Sequence, residues 1–195
     1  MKKQQPTTLI VATGNPGKLR EMQAHLQGVN VKLKLKPEEL DIEETGTTFE
    51  ENACLKATSI AKALGEWAIA DDSGLAVEAL GGAPGLYSAR YGSSDRHRID
   101  RLLQELGDRE NRHARFICVV AIARPDGSIA IASEGICAGE ILYTPRGSGG
   151  FGYDPIFYVP QHQKTFAEMS SELKRQISHR GNAFQNLLPQ LKNLQ

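Results

Sequence analysis

The stretch LIVATGNPGKLREM, Leu9–Met22, constrains this chain more than any other. Leu9–Ala12 is a short apolar run, bounded by Thr and Gly, with the look of an interior strand. Gly14 and Gly17 turn the chain, and Lys18–Gln27 follows as a helix with Leu19, Met22 and Leu26 on one face. A buried strand feeding directly into an amphipathic helix is the start of a layered α/β fold. The turn itself resembles half of a P-loop. That motif, however, needs four residues between its glycines and a Ser or Thr after its lysine. Here only Asn15 and Pro16 intervene, and Leu19 follows Lys18. Two readings stay open. The helix end, with two glycines and donors from Thr13, Asn15 and Lys18, suits a phosphate; equally, it suits a tight turn with a solvated lysine.

The rest of the chain continues the alternation. Val31, Leu33 and Leu35 alternate with lysines, the period-two pattern of a half-buried strand. After an acidic loop, Asp41–Gly46, a helix opens at Thr47 or Thr48, with Glu50 and Glu51 offering two overlapping capping boxes. Its buried stripe is Phe49, Ala53, Ala57, Ile60 and Leu64, while Asn52 and Lys56 share a different face. Trp67–Ala70 is a second apolar strand, expected to end in a turn at Asp71-Asp72-Ser73-Gly74. A glycine-rich loop leads to a helix over Asp95–Leu106. Phe116–Ala123 and Ser128–Ser133 flank Pro125-Asp126-Gly127, a hairpin turn. Cys137–Tyr143 and Ile156–Val159 are further strands, separated by the loop Gly147–Pro155. The C-terminal third is helical, with a capping box at Thr165 and Glu168. Pro189 weakens its last helix, because an interior proline removes a hydrogen bond. The expectation is one α/β domain over 1–195, a mixed central sheet flanked by helices with an added β-hairpin region.

Composition narrows the function. The chain has 195 residues, with 23 basic and 23 acidic side chains. A protein that lives on nucleic-acid backbones carries a basic excess, so a polymer partner is disfavoured. Cys54, Cys118 and Cys137 are odd in number and lack CxxC spacing, which argues against disulfides or zinc and for buried thiols in a reducing compartment. Met1–Thr8 is polar and does not read as a signal peptide, and no apolar stretch is long enough for a membrane span. A cytoplasmic protein with no membrane partner is expected.

Candidate chemistry lies in four places. Asp71 and Asp72 stand at a strand end, where α/β folds place ligands; Glu43 and Glu44 add loop carboxylates. Hard oxygen donors of this kind suit Mg²⁺, which takes one or two carboxylates plus substrate phosphates. Each acidic pair alone reads equally as a cap, a turn or a solvated loop. In Gly149–Asp154, Phe151 and Tyr153 sit among glycines, where a ring stacks on a planar base or packs back on the core. Lys174, His179 and Arg180 are donors able to read carbonyls or hold phosphates; as a cluster they also fit a solvated face.

Six blocks then stand in a telling order: TGNPGK, EETGTTFEENACLKA (Glu43–Ala57), ADDSGL, LGGAPGLYSARY, GGFGYDPIF and ISHRG. They span Thr13–Gly181 and resemble the noncanonical purine NTP pyrophosphatases, the ITPase or XTP/dITP diphosphatase family. The resemblance implies an ITPase-like fold and a Mg²⁺-dependent homodimer. It further implies cleavage of ITP, dITP and XTP to the nucleoside monophosphate and pyrophosphate, clearing deaminated purines from the nucleotide pool. By motif position, Thr13, Gly14, Asn15, Pro16, Gly17 and Lys18 would bind the triphosphate, and Asn52 and Lys56 would reach its phosphates. Glu43 and Asp72 would hold the metal, with Asp72 also the proton acceptor for water. Ser73, Phe151, Gly152, Tyr153, Asp154, Lys174, His179 and Arg180 would complete the nucleotide pocket. The segments Lys2–Thr8, Gly92–Arg112 and Ile129–Leu142 diverge. Two alternatives stand beside this one: a related pyrophosphatase for modified pyrimidine NTPs, and a non-catalytic nucleotide-sensing module.

Overall fold

A computed structural model describes residues 7–192; most of the polar Met1–Thr8 segment lies outside them. The strands are β1 (Thr7–Val11), β2 (Val31–Leu35), β3 (Ala68–Val77), β4 (His113–Ala123), β5 (Ile129–Ile141), β6 (Phe157–Val159) and β7 (Lys164–Thr165). The helices are α1 (Pro16–His25), α2 (Phe49–Leu64), α3 (Asp95–Leu106), α4 (Ser171–Ile177) and α5 (His179–Lys192). The strands form one seven-stranded sheet in the order β2-β1-β3-β4-β5-β6-β7. It is mixed: β1 runs parallel to β2 and β3, whereas β5, β6 and β7 pair antiparallel. The α/β expectation therefore holds. Among the described residues no helix is long and apolar enough to cross a membrane.

Packing divides the chain into two compact units built from separated segments. The first takes the chain up to Asp72, Val119–Glu134 and the chain from Ala183 onward. Leu9–Ala12 is buried throughout, as its apolar run requires. In α2, Ala53, Ala57, Ile60 and Ala61 pack on Ile10, Ala12, Ala68, Ala70 and Val119. Small side chains on both sides bring this helix close to its strands, and Ile60, wholly buried, contributes roughly 1.5–3 kcal/mol. Thr48 caps α2 by accepting from the Glu51 amide at 3.1 Å. Gly65, at φ 65°, closes the helix in the left-handed conformation that favours glycine.

The second unit comprises Ser73–Cys118 and Gly135–Asn182. Its core gathers Leu75, Ile99, Leu102, Leu106, Phe116, Phe157 and Phe166. Phe116 meets the Phe157 ring edge-on, with centroids 4.7 Å apart.

Three expectations need correction. β3 does not turn at Asp71–Gly74 but stays extended to Val77, because lysine partners, Lys18 and Lys56, let the two aspartates continue inside the sheet. β5 is one thirteen-residue strand rather than two. Its odd-numbered residues are buried from Ile131 to Ile141, and Gly135 and Gly139 fall on that same inward face. Glycine at 139 meets a packing need, since a Cβ there would stand 2.4 Å from the Tyr158 carbonyl oxygen. The Thr165–Glu168 capping box forms, but it caps a single 3₁₀ turn, and the α-helix starts only at Ser171. α5 runs through Pro189, carried by the buried Leu187 and Leu191 on either side. Cys118 and Cys137 are buried as expected, whereas Cys54 is half-buried.

Candidate active site

Successive residues of a strand point to opposite faces, and β3 uses this to separate its two aspartates. Ala68 and Ala70 pack among the residues of α2; Asp72 continues their set and meets the same helix. Lys56 Nζ lies 3.4 Å from Asp72 Oδ1 and 2.6 Å from Glu44 Oε1. The Asn52 amide donates to Asp72 Oδ2 at 3.3 Å. Asp71 points the other way, to Lys18 Nζ of α1 at 3.3 Å. The structure thus brings Lys18, Asn52, Lys56, Asp71 and Asp72 together in the first unit, with Asn52 and Lys56 on one helical face as their spacing requires.

Three carboxylates face two ammonium groups here. Burial pushes the Asp72 pKa up; Lys56 and Lys18 pull against this, Glu44 and Asp71 add to it, and the net direction is upward. Burial works against the Lys56 charge as well, but Asp72, Asp71 and Glu44 outweigh it and leave its pKa above the ordinary lysine value. Asp72 is therefore a carboxylate that gains from a proton or a cation, the character wanted in a base or a metal ligand.

The turn before α1 is more committed than its sequence suggested. Asn15 Oδ1 accepts from the amides of Gly17 at 2.8 Å and Lys18 at 3.2 Å, and the Asn15 amide donates to Thr13 Oγ1 at 3.1 Å. Asn15 is the N-cap and Pro16 opens the helix, a standard pairing. Two of the amides available to an anion are thus already satisfied by the cap. A Cβ on Gly14 would meet nothing within 4 Å, so packing does not demand glycine there.

Glu43 and Glu44 separate in the folded chain. Glu43 is exposed, whereas Glu44 is half-buried and shares Lys56 with Asp72. Among the described residues no group of three or more His, Cys, Asp or Glu could hold a metal ion by itself. An oxygen-only set of two carboxylates nevertheless fits Mg²⁺, which draws its remaining ligands from water and substrate phosphates.

The second unit holds the other candidates. Arg180, fully buried, donates through Nη2 to Ser73 Oγ at 3.0 Å. The His179 ring stacks on Phe116, centroids 4.6 Å apart. Gly181 holds this corner tight, since a Cβ there would stand 2.1 Å from the Arg175 carbonyl oxygen. Lys174 Nζ lies 2.6 Å from Asp154 Oδ2 and 4.9 Å from the Phe151 ring centroid. Asp154 Oδ2 also accepts from the Phe151 amide at 2.9 Å. Tyr153 points inward, its hydroxyl donating to the Ser88 carbonyl at 2.9 Å, so of the two loop rings Tyr153 is the one that packs on the core. Asp95 Oδ2 accepts from the Gly152 amide at 2.7 Å.

Residues 9–190 match the family model described as Ham1 family. The chain belongs to the Ham1 family. A dITP/XTP pyrophosphatase of a Nostoc species is 67% identical over 183 residues, covering 94% of this chain and 93% of that protein. A dITP/XTP pyrophosphatase of a Synechocystis species is 63% identical, covering 96% of both chains. Among solved structures, a HAM1 protein of Coxiella burnetii superposes with TM-score 0.87 at 43% identity, covering 96% of this chain and 99% of that one. The Ham1-type fold is therefore this chain's fold.

Asp95, Gly46 and Phe116 escaped the sequence reading. Asp95 and Gly152 are 57 residues apart, and no local pattern links them. Gly46 and Asn52 are only six apart, and a glycine just before a helix cap was a usable sign of close approach.

Proposed function

We propose that this Ham1-family chain hydrolyses noncanonical purine nucleoside triphosphates, ITP, dITP and XTP, to the monophosphate and pyrophosphate. The observation that carries the reading is the buried Asp72 held between Lys56 and Asn52, in a chain whose close relatives are named dITP/XTP pyrophosphatases. The α–β anhydride bond breaks, water supplies the oxygen, and its proton passes to an Asp72 oxygen. Burial raises the affinity of that carboxylate for a proton, which makes it a stronger base. Lys18 and Lys56 supply positive charge where the leaving pyrophosphate gains negative charge, and the turn Thr13–Lys18 lies against the phosphates.

Mg²⁺, held by Asp72 and Glu44 together with phosphate oxygens, would screen the polyphosphate and polarise its oxygens. Glu43, the carboxylate that the motif resemblance favoured for this task, is exposed; Glu44 is the one that shares a lysine with Asp72. Purine selection falls to groups that donate to a 6-carbonyl and leave a 6-amino group unmatched. His179, Arg180 and Lys174 are those donors, Phe151 stacks on the base, and Ser73, Gly152, Tyr153 and Asp154 support them. The proposal extends to a single catalytic domain over 1–195, a homodimer and a cytoplasmic location.

Pyrophosphate release from ITP, dITP, XTP, ATP, dUTP and methylated pyrimidine triphosphates, with Mg²⁺ and with chelator, tests it. Mg²⁺-dependent release that favours ITP, dITP and XTP is expected. Preference for a pyrimidine substrate refutes the purine assignment, and ITP binding without any release refutes catalysis.

A further inference from the structure

Asn52 is buried, 2% exposed, and both ends of its amide are in use. Its Oδ1 accepts from the Gly46 amide at 2.8 Å, and its Nδ2 donates to Asp72 Oδ2 at 3.3 Å. The orientation is fixed by chemistry. A flipped amide would set a donor against the Gly46 N–H and an oxygen against the Asp72 carboxylate, two repulsions in place of two hydrogen bonds. Glycine at 46 is what allows this approach, since a Cβ there would stand 2.7 Å from Asn52 Oδ1. Lys56 meanwhile lies at the other Asp72 oxygen, Oδ1. One partner on each oxygen fixes the plane of the carboxylate.

We propose that Asn52 is a positioning residue, which orients the Asp72 carboxylate through a relay from the Gly46 amide and does not itself hold the phosphates of the substrate. This rests on the proposed role of Asp72. The relay assigns the Gly46 end a catalytic consequence: any group that pushes the amide back misaims Asp72.

Two variants test it, Asn52→Leu, which keeps the shape and removes donor and acceptor, and Gly46→Ala, which leaves Asn52 in the chain but displaces it. Thermal melts first establish that each folds. Both should lower kcat for ITP between about 10- and 100-fold, the loss expected for one hydrogen bond to a charged group. Affinity for a non-hydrolysable α,β-methylene analogue of ITP, measured calorimetrically without divalent cation, should stay within about twofold of the parent chain, as expected when no phosphate contact is lost. A folded variant with kcat unchanged overturns the proposal, and so does analogue affinity weakened tenfold in Asn52→Leu, whatever its kcat. A third readout is independent of turnover: the Asn52 side-chain amide resonance should shift in Asp72→Ala, and an unmoved resonance refutes the contact. If the parent chain does not hydrolyse ITP, the proposed function fails, while that resonance still reports on the relay.

Discussion

Replacing Lys56 by methionine removes the charge at Nζ while keeping an unbranched apolar stem of similar length. The side chains of Lys56 and Asp72 are 11% and 9% exposed, so solvent cannot take over from the lost partner. Breaking a buried pair in this way costs about 3–5 kcal/mol. The low end applies, because the 3.4 Å separation from Asp72 is long and Asn52 still donates to it. Glu44, which loses its 2.6 Å partner as well, is exposed enough to turn to water. A loss of about 3 kcal/mol at pH 8 corresponds to a Tm lower by roughly 6–12 °C for a chain of this size. The pH dependence identifies the cause. Folded Asp72 already binds its proton more tightly than an ordinary aspartate, and without Lys56 it binds it more tightly still. The folded state then holds more protons than the unfolded one between the ordinary value and the raised one, so stability falls as pH rises through the folded-state pKa. That fall is larger in the variant. Lys56, with its pKa above 10.5, stays charged over this whole range and adds no slope of its own. Urea denaturation at pH 8, 6.5 and 5, at constant ionic strength, should show the gap to the parent chain narrowing as pH falls. A gap of constant size across the three would assign the loss to packing and refute the electrostatic account.

Asp72→Asn should lower kcat for ITP by about 10²–10⁴-fold, the usual worth of a positioned base, with analogue affinity largely intact; near-normal turnover refutes the base assignment. Glu44→Gln should raise the Mg²⁺ concentration needed for half-maximal activity by about tenfold or more, as expected when one of two carboxylate ligands is lost, whereas Glu43→Gln should leave it near the parent value. A Mg²⁺ titration showing the reverse order returns the metal to Glu43. His179→Ala and Arg180→Ala should each erode the preference for ITP over ATP by about 10-fold, read as a ratio of kcat/KM values; a full preference in both variants refutes the donor account of selectivity.

What could be read from the sequence was local. Leu9–Ala12 and the capped helix at Thr48 are set by nearest neighbours, and both appear where their patterns place them. The continuation of β3 was not legible, because a buried aspartate is allowed only by a partner, and Lys18 and Lys56 arrive from two different helices. The two strands expected at Ser128–Ser133 and Cys137–Tyr143 join through Glu134–Ile136, where Gly135 sits on the inward face and is simply small. The order of the blocks pointed to the family and to the residue types of the candidate site. The choice between Glu43 and Glu44 depends on the path of a loop, which spacing does not encode, so the motif pointed to the neighbour of the residue that faces Lys56. Asn15 was read as a donor toward phosphate, yet its place before Pro16 is also that of an N-cap, and the cap is what forms.

The opposed aspartates of β3 also act as a gauge of alignment. Ala68, Ile69 and Ala70 are buried on both sides of the sheet, so apolar burial barely distinguishes one pairing of this strand from the next. The charges do distinguish them. A slip of one residue in one direction would leave Asp72 facing Lys18 and bring Ser73 to Lys56; in the other it would leave Asp71 facing Lys56 and bring Ala70 to Lys18. Either error leaves one aspartate–lysine pair where the native register makes two. Asp71 and the proposed base Asp72 thus favour one register of the sheet, and the cost of removing Asp72 should fall on folding fidelity as well as on turnover.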